Sequence, residues 1–147
     1  MTTQELHVLL NDLDEGRLYY GSHPAGTKQF CVLEFRNAVL HLPHGDAPGN
    51  FPDLRPLNDA SWLSDDMRTA HVLPVVAALW DWDTWSCARQ HNWITCVIIE
   101  TVKQLIAFLP QLPVAVKQQC LNVTNFKEAT AAAEAAKTAA GAATWEA

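Results

Sequence analysis

Three observations predict an all-α fold, a single compact domain of about six helices. Apolar residues recur at helical spacing in several separate stretches, capping residues stand just before most of those stretches, and nearly all prolines and glycines fall between them. With 147 residues, 49% of them hydrophobic, the chain can bury a core and reads as one domain over 1–147.

The elements follow in order. Thr2 and Glu5 have capping-box spacing ahead of the stripe Leu6, Leu9, Leu10 and Leu13, which predicts a helix over about 3–14, ended by Gly16. The breakers Gly21, Pro24 and Gly26 predict a loop over 21–28. Residues 29–40 suit helix or strand; their length, Ala38 and the internal Glu34, Arg36 and Asn37 favour helix. Four prolines and two glycines then predict a loop over 41–60, a length more often functional than incidental. Ser64, with Asp65 and Asp66 behind it, caps a helix to about Trp82, in which Pro74 predicts a kink or two abutting helices. Ser86 opens the longest element, to about Leu109, with the stripe Ile94, Val97, Ile98, Val102, Leu105, Ile106 and Leu109. Pro113 suits the first position of a short helix through Leu121. Asn125 and Glu128 open a helix over about 125–143. Eleven of the last 22 residues are alanine, so it forms readily but buries little area per turn, either docked on the bundle or a partner, or fraying in solvent.

Charge narrows the function classes. A net charge of −6 with ten scattered basic residues argues against direct nucleic-acid binding, which needs a basic face. Acidic residues near the start and no long apolar run argue against a secretion signal, and the apolar stretch 93–109 is interrupted by Glu100, Lys103 and Gln104. A cytoplasmic protein without membrane contact is the expectation. Cys31, Cys87, Cys96 and Cys120 are far apart, with no C-x-x-C pair, and read as reduced thiols. Gly-rich phosphate loops and G-x-S-x-G elbows are missing from the sequence, and no cofactor is expected.

The stretches Phe30-Cys31-Val32-Leu33-Glu34-Phe35, Pro56-Leu57-Asn58-Asp59-Ala60-Ser61-Trp62 and Asp65-Asp66-Met67-Arg68-Thr69 carry a resemblance. Over about residues 20–80 the chain resembles a group of small hypothetical proteins of bacteria, notably actinobacteria, and their phages. Where that group has a Ser-Asp-His-Pro-like loop, this chain reads Pro43-His44-Gly45-Asp46-Ala47-Pro48. The resemblance implies a helical fold and a bacterial or phage source, and no particular activity.

Several constellations could carry chemistry. His41, His44 and Asp46, with His23 from the earlier loop, are ligand types for zinc or iron, although loop histidines more often serve as exposed hydrogen-bonding groups. Cys31 near a helix start, with His23 a loop away and Glu34 one turn on, has the parts of an activated thiol, which Asp46 or Asn58 could orient. The plainer reading is a small buried residue in an apolar run. Asp59, Asp65 and Asp66 lack the spacing of a calcium loop and read as capping groups. Six tryptophans are many for this length. Trp80, Trp82 and Trp85, alternating with aspartates, form either a helix-corner core or, with Trp145 of the last helix, a protein-binding patch.

The expectation is therefore a small helical interaction protein without catalysis, self-associating or binding a protein partner, for example a phage-encoded inhibitor or accessory factor. The alternative is an enzyme or metal-dependent protein whose His/Cys/carboxylate site forms where the 21–28 and 41–60 loops converge over the start of the second helix.

Overall fold

The computed structural model describes residues 1–104 and 106–143, and the side chains of all of these except 141–143. Among the described residues the chain is all-helical, with seven α-helices and no strand. Its contacts divide it into two compact units, Met1–Thr84 and Trp85–Ala147.

The first unit comprises α1 (Thr3–Leu13), α2 (Val32–Val39), α3 (Arg55–Asn58) and α4 (Asp65–Ala78), followed by a 3₁₀ turn over Trp82–Thr84. The expected capping box starts α1: Thr2 Oγ1 accepts from the Glu5 N–H (3.2 Å) and Glu5 Oε2 from the Thr2 N–H (2.7 Å). Leu6 and Leu10 of α1 and Val72, Leu73 and Val76 of α4 are buried where the two helices pack, each contributing about 1.5–3 kcal/mol. The chain leaves α1 through Gly16, buried at φ +77, where a Cβ would collide with the Asn11 carboxamide.

Residues 29–40 hold a helix, not a strand, and it begins at Val32. Five successive residues of α2, Val32 to Arg36, are buried, so this short helix is enclosed on all sides. It ends in a Schellman arrangement: the Leu42 N–H donates to the Asn37 carbonyl (2.9 Å), the His41 N–H to the Ala38 carbonyl (3.2 Å), and His41 itself sits at φ 54.

Several boundaries differ from expectation, three of them by a turn or more. The 41–60 segment contains the one-turn α3, with Pro56 in its first turn, where a missing N–H costs nothing. A single helix, α4, runs through Pro74 and stops at Ala78 instead of Trp82. Pro74 and Ala70, whose carbonyl loses its partner, are both exposed, so water can take that carbonyl.

In the second unit, α5 (Cys87–Gln104) is followed by a 3₁₀ turn over Ile106–Phe108, then α6 (Val114–Leu121) and α7 (Phe126–Ala143). The third difference is that α5 ends at Gln104, not Leu109; the final residues before Pro110 tighten into the 3₁₀ turn. Pro113 stands at the N-cap of α6, one residue before the position expected. Asn125 Oδ1 accepts from the Glu128 N–H (3.0 Å) to start α7. The alanine-rich helix is docked: it packs on α5 and α6, with Ala129, Ala132 and Ala136 buried beside Val102, Ala107, Leu112, Cys120 and Val123. Leu105 and Trp145 lie outside the described residues.

Candidate functional site

Glu34 is the centre of the most connected polar cluster that sequence reasoning singled out. Its carboxylate is 1% exposed and caps its own helix, accepting from the Cys31 N–H through Oε2 (2.8 Å). The 21–28 loop comes over this helix start. Its His23 N–H donates to Glu34 Oε1 (2.6 Å), and His23 Nδ1 stands 2.9 Å from Oε2. The 41–60 loop also reaches this point, with His44 Nε2 at 2.7 Å from the His23 carbonyl and 3.7 Å from Glu34 Oε1. His23, Cys31, Glu34 and His44 thus come together. His41 and Asp46 do not join them: His41 closes α2 and faces solvent, and no three His, Cys, Asp or Glu side chains among the described residues are placed to hold a metal ion.

The electrostatics favour a fixed carboxylate over an activated thiol. Burial would raise the Glu34 pKa, but donation from the His23 and Cys31 backbone N–H groups and from the His23 ring outweighs it and holds the carboxyl below the usual range. Cys31 goes the other way. Burial pushes its thiol up to about 12, with the Glu34 charge adding to the shift, so the lowering expected at a helix start is overturned. A His–carboxylate pair that fixes an imidazole is present, and the thiol beside it is 2% exposed with burial disfavouring its thiolate form.

Thiol reactivity checks this directly. Cys87 and Cys96 are exposed, whereas Cys31 and Cys120 are buried. A disulfide-exchange reagent is expected to titrate the first two promptly in the native protein and the other two only after denaturation. Prompt modification of Cys31, located by peptide mapping, would restore the thiol chemistry.

The other motifs in the first unit are absorbed by its architecture. Asn58, 1% exposed, accepts from the Val32 N–H through Oδ1 (3.2 Å) and donates through Nδ2 to the Tyr19 carbonyl (2.8 Å) and to Asp59 Oδ1 (2.7 Å). Asp59 Oδ1 also accepts from the Gly21 N–H (2.9 Å). Arg68 is buried; its Nε donates to the Asn58 carbonyl (2.7 Å) and its Nη1 pairs with Asp65. Thr69 Oγ1 accepts from the Leu18 N–H (2.8 Å). Several of these side chains serve the irregular segment between α1 and α2, at the Leu18 N–H and carbonyl, the Tyr19 carbonyl and the Gly21 N–H.

The tryptophans do not share one environment. Trp82 is 4% exposed, its Nε1 donating to the Asn50 carbonyl (2.8 Å), so it belongs to the first unit's core and not to an exposed patch. Trp80 is half-buried. Trp62 stacks on His71 with ring centroids 5.1 Å apart. Trp85, in the second unit, is half-buried under the Arg89 guanidinium at 3.9 Å.

Sequence reasoning missed one group, Arg36. It is 5% exposed, its guanidinium lies 4.1 Å over the Phe51 ring, and its Nη2 donates to Asp83 Oδ2 (2.6 Å). The available signal was a cation in an apolar helix with no acidic residue three or four positions away.

No helix among the described residues is long and apolar enough to cross a membrane. Comparisons with known proteins found no match: not to a family model, not to a curated protein and not to a solved structure.

Proposed function

We propose that the chain is a helical interaction protein that pairs with a second copy of itself through α5. The observation that carries this is the outer face of that helix. Ile98, Ile99 and Val102 pack toward the second unit's core, while Ile94 and Val97 are 41% and 42% exposed. Arg89 and Glu100, both exposed, lie along one line of the helix, three turns apart and too distant to pair within it. An antiparallel α5–α5 contact with its two-fold axis near residues 94–95 sets Arg89 of each copy against Glu100 of the other and covers Ile94 and Val97. Ala107, Ala129, Ala132 and Ala136 make up half of the buried residues of this unit's core, so it buries modest apolar area for three helices, which supports the same reading.

Light scattering coupled to size exclusion is expected to give a concentration-dependent dimer. The Ile94→Asp/Val97→Asp double variant should run as a monomer with unchanged far-UV circular dichroism. A bis-maleimide spanning ~8 Å should cross-link the dimer through Cys96, which lies close to the axis, and not through Cys87. A monomer at ~100 μM, or a variant that still dimerises, removes the proposal. An enzyme built on Cys31 is less well supported, because its thiol is buried and held near pKa 12.

A further inference from the structure

We infer that the first unit binds a small organic carboxylate on Arg36, in the cavity between α2 and the 42–51 loop. The cavity has a volume of about 460 Å³, within the ~300–1,000 Å³ range of small-molecule sites. Arg36, Asn37, His44, Pro48, Phe51 and Asp83 are among its walls. Those walls are held in place: Asn37 Nδ2 donates to the Gly45 carbonyl (2.8 Å) and Trp82 Nε1 to the Asn50 carbonyl (2.8 Å), so the loop is pinned at Gly45 and at Asn50.

The guanidinium is under-used. Nε and Nη2 lie on one edge of the arginine fork and together match the two oxygens of a carboxylate. Here Nη2 donates to Asp83, while Nε is buried with no hydrogen-bond partner. A buried unsatisfied donor on a charged group is costly, and a native structure tolerates few of them. Asp83 is the peripheral partner: its side chain is 55% exposed on the 3₁₀ turn, whereas that of Arg36 is 6% exposed. Asp83 can therefore swing into solvent as an incoming carboxylate replaces its charge beside the buried guanidinium. An incoming carboxylate takes its place on Nη2 and supplies Nε with the oxygen it lacks. The apolar side chains of Leu42, Pro43 and Pro48 face the rest of the ligand. Phe51 backs the guanidinium from below and keeps its plane fixed. The inference is independent of α5 pairing, which lies in the other unit.

Benzoate, acetate and inorganic phosphate are the probes, titrated by calorimetry into the full chain. Saturable benzoate binding is expected, stronger than acetate and stronger than phosphate. Asp83→Asn, which removes the competing charge, should tighten benzoate binding ~10-fold, and Arg36→Lys, which removes the fork, should weaken it at least as much. Because substituting Arg36 also breaks a buried pair that supports the fold, the Arg36 Nε–H resonance of the wild-type protein provides a second readout. It should move downfield on saturation with benzoate. No binding to wild type or Asp83→Asn at ~20 mM, phosphate binding as tightly as benzoate, or an unmoved Nε–H signal would each overturn the inference.

Discussion

Replacing Glu34 with alanine is expected to destabilise the first unit by about 3–5 kcal/mol, the cost of removing one partner from a buried charged cluster. Three donors lose their acceptor at once: the His23 N–H, the Cys31 N–H and the His23 ring. A cavity remains where a 1%-exposed side chain stood. Glu34→Gln retains the shape and one good acceptor, but turns an NH₂ toward donors, and should cost about half as much. Urea unfolding of the full chain, followed at the tryptophans, measures both. The acid limb tests the charge itself. Because the folded-state pKa of Glu34 lies below its ordinary value, its stabilisation is complete above the unfolded pKa and is lost as pH falls through the folded one. Wild type should therefore lose stability on acidification more steeply than Glu34→Gln. Equal slopes for the two proteins would mean that the carboxylate charge does not hold the two loops together.

That cluster also shows how far the residues alone lead. Capping signals are local, and they located the starts of α1, α4, α5 and α7 because a side chain bonds a backbone group three residues away. The spacing of Cys31 and Glu34 is of the same kind, and Glu34 returns to its own N-cap as a capping box requires. Helix ends were less legible. The stop at Ala78 and the change at Gln104 depend on what the following turn packs against, which periodicity does not encode. The sequence leaves thiol acidity open between an activated and a buried Cys31, because a helix start and burial shift a cysteine in opposite directions and only packing decides between them. Arg36 was passed over for a related reason. Its partners, Phe51 and Asp83, are 15 and 47 residues away, beyond any local pattern. The motifs around Asn58, Arg68 and Thr69 are legible as patterns, and the structure gives them a physical role. They satisfy the Leu18 N–H and carbonyl and the Tyr19 carbonyl in the irregular segment between α1 and α2, groups that would otherwise be left bare.

Trp82→Ala is expected to cost about 3–5 kcal/mol of stability in the first unit and to leave α5 pairing intact in whatever fraction stays folded. The ring is 4% exposed and its Nε1–H serves the Asn50 carbonyl, so truncation removes a large buried surface and orphans an acceptor. Trp82→Phe keeps most of that surface and should cost only about 1–2 kcal/mol, chiefly for the lost hydrogen bond. Trp85→Ala, by contrast, removes a half-buried ring under Arg89 and should cost about 1 kcal/mol or less. An interface anchor would give the opposite ordering: unchanged unfolding of Trp82→Ala and a higher dissociation constant. The difference between the two tryptophans follows from the chain around them. Trp82 opens the 3₁₀ turn that carries Asp83 to Arg36 and reaches back to the loop walling the cavity. Its ring therefore supports the first unit's core and the geometry of the Arg36 cavity together, and benzoate affinity should fall with stability in Trp82→Ala but hold in Trp85→Ala.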